Sequence, residues 1–203
     1  MKLVIATKNR NKIFEIQDKF SGIPGLELIP LTEFAAPPDV IEDGATFEEN
    51  ALKKARAVAG HTGCAAMADD SGLVVDALDG RPGIYSARYG GDGASDAERC
   101  RRILDEMADI PDGKRTARFE CAIAIVLKDG TAHCAKGACE GTITRRMKGG
   151  HGFGYDPIFY LPERGMTMAE IPLDEKNRIS HRGRALDAAR EVLMRAMAAG
   201  QEG

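Results

Sequence analysis

The chain has 203 residues, 43% of them apolar and 29% charged, with a formal net charge of −3. This length supports one ordinary domain with a continuous hydrophobic core and leaves no room for two independent ones, and the composition excludes disordered and fibrous classes. The slightly acidic balance argues against a non-specific nucleic-acid binder, which carries a broad basic face, so any phosphate chemistry has to be local.

The opening run Leu3-Val4-Ile5-Ala6 is far short of the roughly 20 apolar residues of a membrane helix, and no later stretch comes near it, so neither a signal peptide nor a span is expected. Ile13, Ile16 and Phe20 follow at helical spacing, which predicts strand, tight turn and helix. A short strand over 26–30 leads into a loop, rich in proline and aspartate, that runs through Gly44 and carries Glu42 and Asp43. Thr46-Phe47-Glu48-Glu49 has the spacing of a capping box. It predicts a helix towards Gly60 whose stripe is Phe47, Ala51, Leu52, Ala55, Val58 and Ala59. Residues 64–68 read as a buried strand, Asp69-Asp70-Ser71-Gly72 as a turn, and 73–78 as extended again.

Gly90-Gly91-Asp92-Gly93 reads as a loop, and Ser95-Asp96-Ala97-Glu98 as a second capping box opening a helix with Cys100, Ile103, Leu104 and Met107. Two extended stretches, 116–127 and onward to Ile143, flank an Asp-Gly turn at Lys128-Asp129-Gly130-Thr131 and form the clearest hairpin. Ser180 is placed to cap a last helix with Leu186, Ala189 and Leu193 on its stripe, and past Ala199 the tail should fray. Early alternation of strands and helices with a hairpin in the middle predicts an α/β protein: a mixed sheet flanked by helices, one domain in two lobes with a cleft between them. Five cysteines at irregular spacing suggest neither a disulfide framework nor a paired C-x-x-C zinc site, and a cytoplasmic location is expected.

Four constellations carry chemistry. Thr7-Lys8-Asn9-Arg10-Asn11-Lys12 falls where a strand gives way to a helix, and a helix N-terminus with unpaired N–H groups suits phosphate, with Lys12 adding charge. The plainer reading is an asparagine cap among solvated lysines. Asp69-Asp70-Ser71-Gly72 with Glu42 offers carboxylates to a hard divalent cation, which needs only one or two beside substrate phosphates; adjacent strand residues face opposite ways, so the two aspartates are not expected to share one task. Turn propensity alone also accounts for this run. Gly149 to Pro157 sets glycines around Phe153, Tyr155 and Asp156, as in a pocket where a base stacks, or as in a mobile turn whose aromatics join the core. In Lys176-Asn177-Arg178-Ile179-Ser180-His181-Arg182, His181 and Arg182 can donate to a carbonyl oxygen and Lys176 can stack on a base or reach phosphate, unless the run is a solvated basic loop.

In order along the chain, A-T-K-N-R-N-K at 6–12, I-E-D-G-A-T-F-E-E-N-A at 41–51, A-D-D-S-G-L at 68–73, R-P-G-I-Y-S-A-R-Y at 81–89, T-A-R-F-E-C-A at 116–122, F-G-Y-D-P-I-F at 153–159 and D-E-K-N-R-I-S-H-R at 174–182 together resemble the inosine triphosphate pyrophosphatase family, also called HAM1 or RdgB-like. The resemblance spans nearly the whole chain. It implies an elongated mixed sheet, a cleft between lobes, a homodimer, and hydrolysis of deaminated purine nucleoside triphosphates to monophosphate and pyrophosphate. By position it makes Thr7, Lys8, Asn9, Arg10, Asn11 and Lys12 the triphosphate loop, Asp70 the general base and a magnesium ligand, and Glu42 a second acidic residue near the metal, for which manganese is the alternative. Ser71 contacts substrate, Phe153, Gly154, Tyr155 and Asp156 form the base segment, and Lys176, His181 and Arg182 complete the pocket. No nucleic-acid polymer or membrane partner is implied.

Hypoxanthine and xanthine present a carbonyl acceptor at C6 where adenine presents a donor, so donors at His181 and Arg182 favour the former. Two other readings stay open on sequence: a Maf-like pyrophosphatase acting on modified pyrimidines, and a regulatory nucleotide binder without turnover. The paired acidic residues Glu42 and Asp70 speak against the second.

Overall fold

The structure, a computed structural model, describes residues 1–91 and 93–199. The loop reading at Asp92 and the frayed tail past Ala199 therefore lie outside the described residues. The elements are β1 (Lys2–Ile5), α1 (Arg10–Phe20), β2 (Glu27–Pro30), α2 (Phe47–Thr62), β3 (Ala65–Val75), α3 (Asp96–Glu106), β4 (Thr116–Val126), β5 (Ala132–Ile143), β6 (Phe159–Leu161), β7 (Met166–Thr167), α4 (Leu173–Ile179) and α5 (His181–Ala199). The strands form one seven-stranded sheet in the order β2-β1-β3-β4-β5-β6-β7. It is mixed, as expected: β1 runs parallel to β2 and β3, whereas β6 runs antiparallel to β5 and β7. No helix among the described residues is long and apolar enough to cross a membrane.

The chain divides into two compact units. One comprises Met1–Asp70, Cys121–Gly137 and the chain from Arg182 on; its core gathers Leu3 and Ile5 of β1, Ile16 and Phe20 of α1, Ile123 of β4 and Leu193 of α5. The other comprises Ser71–Glu120 and Ala138–His181, with Leu73, Ile103, Met107, Phe119, Phe159 and Met168 in its core.

Local chemistry explains most of the boundaries. Asn9 caps α1 by accepting from the backbone N–H groups of Asn11 and Lys12. Thr46 caps α2 through Glu49 N–H at 3.1 Å, but Glu49 reaches back to Ala45 N–H at 2.8 Å rather than to Thr46, so the expected box is only half reciprocated. At α3 the Ser95–Glu98 box is complete. The Asp-Gly turn closes β4 onto β5, with Leu127 N–H donating to Thr131 O at 2.8 Å.

Two expectations need correcting. Residues 69–72 do not turn: β3 is a single strand of 11 residues through Asp69, Asp70, Ser71 and Gly72. Ladder pairing and burial override the turn propensity of these residues, and Gly72 makes the strand possible there, because a Cβ on it would overlap Ser86 Oγ and lie 2.5 Å from Gly83 O. The basic run before the last helix is not a solvated loop either. Residues 173–179 form α4, and Lys176 and Asn177 on it are buried.

Candidate functional site

In the first unit, the loop after β1 delivers Lys12 from the first turn of α1 to a buried chain of charges. Lys12 Nζ lies 2.9 Å from Asp69 Oδ2, Arg182 Nε donates to the same oxygen at 3.2 Å, and Arg182 Nη1 donates to Glu15 Oε2 at 2.9 Å. Burial alone raises the Asp69 pKa, but the Lys12 and Arg182 charges outweigh it and hold this carboxyl well below the usual carboxylate range. The same burial pushes the Cys121 thiol up to about 12, which removes it as a thiolate nucleophile. Thr7 and Asn9 are committed locally: Thr7 Oγ1 accepts from Asn9 N–H at 3.2 Å, and Asn9 caps the helix. Lys8, Arg10 and Asn11 are exposed beside them.

One residue on, Asp70 faces a different set of groups, as strand alternation requires. Asn50 Nδ2 of α2 donates to Asp70 Oδ2 at 3.0 Å, and Lys54 Nζ, one turn along that helix, sits 3.8 Å from Asp70 Oδ1 and 3.1 Å from Glu42 Oε1. Asn50 Oδ1 in turn accepts from Gly44 N–H at 2.8 Å, which pins the loop that carries Glu42. Burial raises the Asp70 pKa; Lys54 opposes the rise and Glu42 adds to it. The two neighbouring aspartates are thus tuned in opposite directions.

The second unit holds the other candidate residues. Lys176 Nζ and Asp156 Oδ2 form a buried ion pair at 2.5 Å, and the ammonium sits 4.6 Å from the centroid of the Phe153 ring. Asp156 Oδ2 also accepts from Phe153 N–H at 2.9 Å. Gly152 is required here: its φ is 77°, and a Cβ would overlap Asp156 Oδ2 and lie 2.9 Å from Lys176 Nζ. Phe153 is partly exposed, but Tyr155 is buried, its hydroxyl donating to Ser86 O at 2.8 Å. Ser86 is a joint: its Oγ accepts from Leu73 N–H at 2.9 Å and donates to Gly83 O at 2.6 Å. His181 is buried and stacks on Phe119 with ring centroids 4.7 Å apart. Gly154 N–H donates to Asp96 Oδ2 at 2.6 Å, and Ser71 is half-buried on β3.

The sequence profile of the Ham1 family matches residues 3–192. The chain belongs to that family. Among curated relatives of this Ham1 chain, a dITP/XTP pyrophosphatase of Geobacter sulfurreducens is 50% identical over 95% of this chain and 96% of its own. Another protein of that name, from Desulforamulus reducens, is 49% identical over 96% of both. The structure of a HAM1 protein from Coxiella burnetii superposes with a TM-score of 0.89 at 43% identity, covering 96% of this chain and 99% of that one.

Within the Ham1 chain, three polar residues at the charge clusters escaped sequence reasoning: Glu15, Asn50 and Lys54. Asn50 carried a usable signal, because it interrupts the apolar stripe between Phe47 and Ala51 yet is fully buried. Leu52 and Ala59, assigned to that stripe, are only half-buried. Glu42 and Asp70 lie within reach of one cationic centre, the Lys54 ammonium. Among the described residues no cluster of three or more His, Cys, Asp or Glu side chains forms an all-protein metal cage. Two carboxylates without a cage are the donor set that magnesium, completed by water and substrate phosphate, accepts.

Proposed function

We propose that the chain hydrolyses deaminated purine nucleoside triphosphates, inosine, deoxyinosine and xanthosine triphosphate, to the monophosphate and pyrophosphate. The observation that carries this reading is the convergence of Asp70 and Glu42 on a single cationic position, next in sequence to an aspartate that holds Lys12 from the first turn of α1. The relatives named dITP/XTP pyrophosphatase support it.

In this reading Glu42 and Asp70 hold magnesium, or manganese, which supplies charge neutralisation to the triphosphate. Thr7 to Lys12 take the phosphates, with backbone N–H groups and the Lys12 ammonium as donors. Asp70 accepts a proton from water, the water oxygen bonds to the α-phosphorus, and the bond to the bridging oxygen breaks as pyrophosphate leaves. Asn50, donating to Asp70 Oδ2 at 3.0 Å, keeps the carboxylate oriented for this step. Ser71 contacts substrate, Phe153 stacks on the base within the Phe153 to Asp156 segment, and Lys176, His181 and Arg182 complete its recognition. Asp70 and Ser71, like His181 and Arg182, are consecutive residues assigned to different units, which supports the reading of one domain in two lobes. The family resemblance adds a homodimer, and the irregular spacing of the cysteines a cytoplasmic location.

The test is pyrophosphate release from inosine, xanthosine, guanosine and adenosine triphosphates, with magnesium and with chelator. Metal-dependent release from the first two, with adenosine triphosphate at least about 100-fold slower, is expected. Asp70→Asn should lower turnover by roughly 10²–10⁴-fold. Equal cleavage of all four would discard the base pocket, and near-normal turnover of the variant would discard the base.

A further inference from the structure

The two cations that the proposed function assigns to the triphosphate and to the base share one carboxylate oxygen. Asp69 Oδ2 is 2.9 Å from Lys12 Nζ and 3.2 Å from Arg182 Nε, and the Asp69 and Arg182 side chains are 1% and 4% exposed. Among the described residues Asp69 is the ion-pair partner of Lys12, whereas Arg182 has a second counter-charge in Glu15 at 2.9 Å. We propose that Asp69 is a positioning residue that ties the triphosphate-binding lysine to the base-reading arginine, so that the two ends of the nucleotide are recognised as one.

The chemistry favours a hold over a competition. An ammonium has three donors, so a bond to Asp69 leaves two for phosphate oxygens. With Glu15 counted, the two cations and two carboxylates sum to zero, so Lys12 brings placed donors to phosphate and not surplus charge. A lysine stem held in place loses less rotamer freedom when phosphate arrives than one that ranges through solvent. Any adjustment of Arg182 on meeting a base also bears on Oδ2, and hence on the ammonium bonded to it. This inference rests on the function proposed above.

Inorganic tripolyphosphate, which has no base, separates the two ideas. Its binding is measured by calorimetry in chelator for the wild-type chain, Asp69→Asn, Arg182→Lys and Lys12→Met, and for the first two substitutions in the Lys12→Met background. Asp69→Asn should weaken binding roughly tenfold and Arg182→Lys roughly threefold, with both effects shrinking below about twofold once Lys12 is gone. A role in stability alone would not make the effect of Arg182 on a baseless ligand depend on Lys12. If Asp69→Asn does not fold, the Arg182→Lys and Lys12→Met pair decides on its own. Unchanged or tighter binding by Asp69→Asn, or a full Arg182→Lys effect in the Lys12→Met background, overturns the inference while wild-type pyrophosphate release keeps the function. A wild-type chain that neither binds tripolyphosphate nor releases pyrophosphate overturns both.

Discussion

At the scale of single residues, Asp69 and Asp70 are both buried on β3 but ionise in opposite senses. Asp69 is ionised far more readily than a free carboxylate because Lys12 and Arg182 overcome its burial; Asp70 is ionised less readily because burial and Glu42 prevail over Lys54. The signs for stability follow by proton linkage. A depressed folded pKa makes Asp69 stabilising above its unfolded value of about 3.9, and this contribution is lost as pH falls from there towards the folded pKa. Asp69→Asn should therefore cost about 3–5 kcal/mol near neutrality, the usual result of removing one partner of a buried pair, with the gap closing in acid. A raised folded pKa means that ionising Asp70 costs stability, so Asp70→Asn should stabilise the metal-free protein near neutrality, and that gain should vanish as pH falls through the folded pKa to about 3.9. Thermal unfolding in chelator between pH 8 and pH 3 checks both; shifts of the same sign in the two variants would contradict the assignment. The sequence shows why such a pair deserves scrutiny, since strand alternation already sends neighbours to opposite faces. It does not show what waits there: Glu15, Asn50 and Lys54 sit on helices, and which way a helix turns its polar residues is decided by packing with distant segments.

Among elements, the helices were the more legible. The caps at Thr46 and Ser95 mark the starts of α2 and α3, the end of α2 falls within two residues of the expected Gly60, and the asparagine cap of α1 is Asn9. Strand β3 was misread because its middle is written in turn residues, and α4 because a cluster of cations resembles a solvated loop when its burial is not visible. Gly72 is where the β3 misreading has a measurable counterpart. Gly72→Ala would press a methyl group against Ser86 and the Gly83 carbonyl, and the backbone on one side cannot yield cheaply. A loss of about 1–3 kcal/mol in urea unfolding is expected, as for other overpacked sites. If the variant is as stable as the parent, the close approach of β3 to the Gly83–Ser86 turn is wrong.

For the whole molecule, two hydrophobic cores belong to two units, yet the chain passes between those units at 70/71, 120/121, 137/138 and 181/182. Four crossings, three of them inside continuous strands, predict one cooperative transition and not two. Leu193→Ala in one core and Ile103→Ala in the other should each cost about 2–5 kcal/mol and should move the same urea midpoint. Separate transitions by circular dichroism and hydrogen exchange would show that the units melt independently. The alternation of strands and helices, the central hairpin and a mixed sheet were legible in the sequence; the strand order, and the fact that β3, β4 and β5 each serve both cores, are products of long-range pairing. The Ser86 joint has a different kind of consequence. Phe153 presents its ring, but the anchor of the loop that bears it is Tyr155, locked to Ser86 two residues further on. Display and fastening are separate side chains, so exchanging the ring gives up its contact with Lys176 but leaves the mount in place.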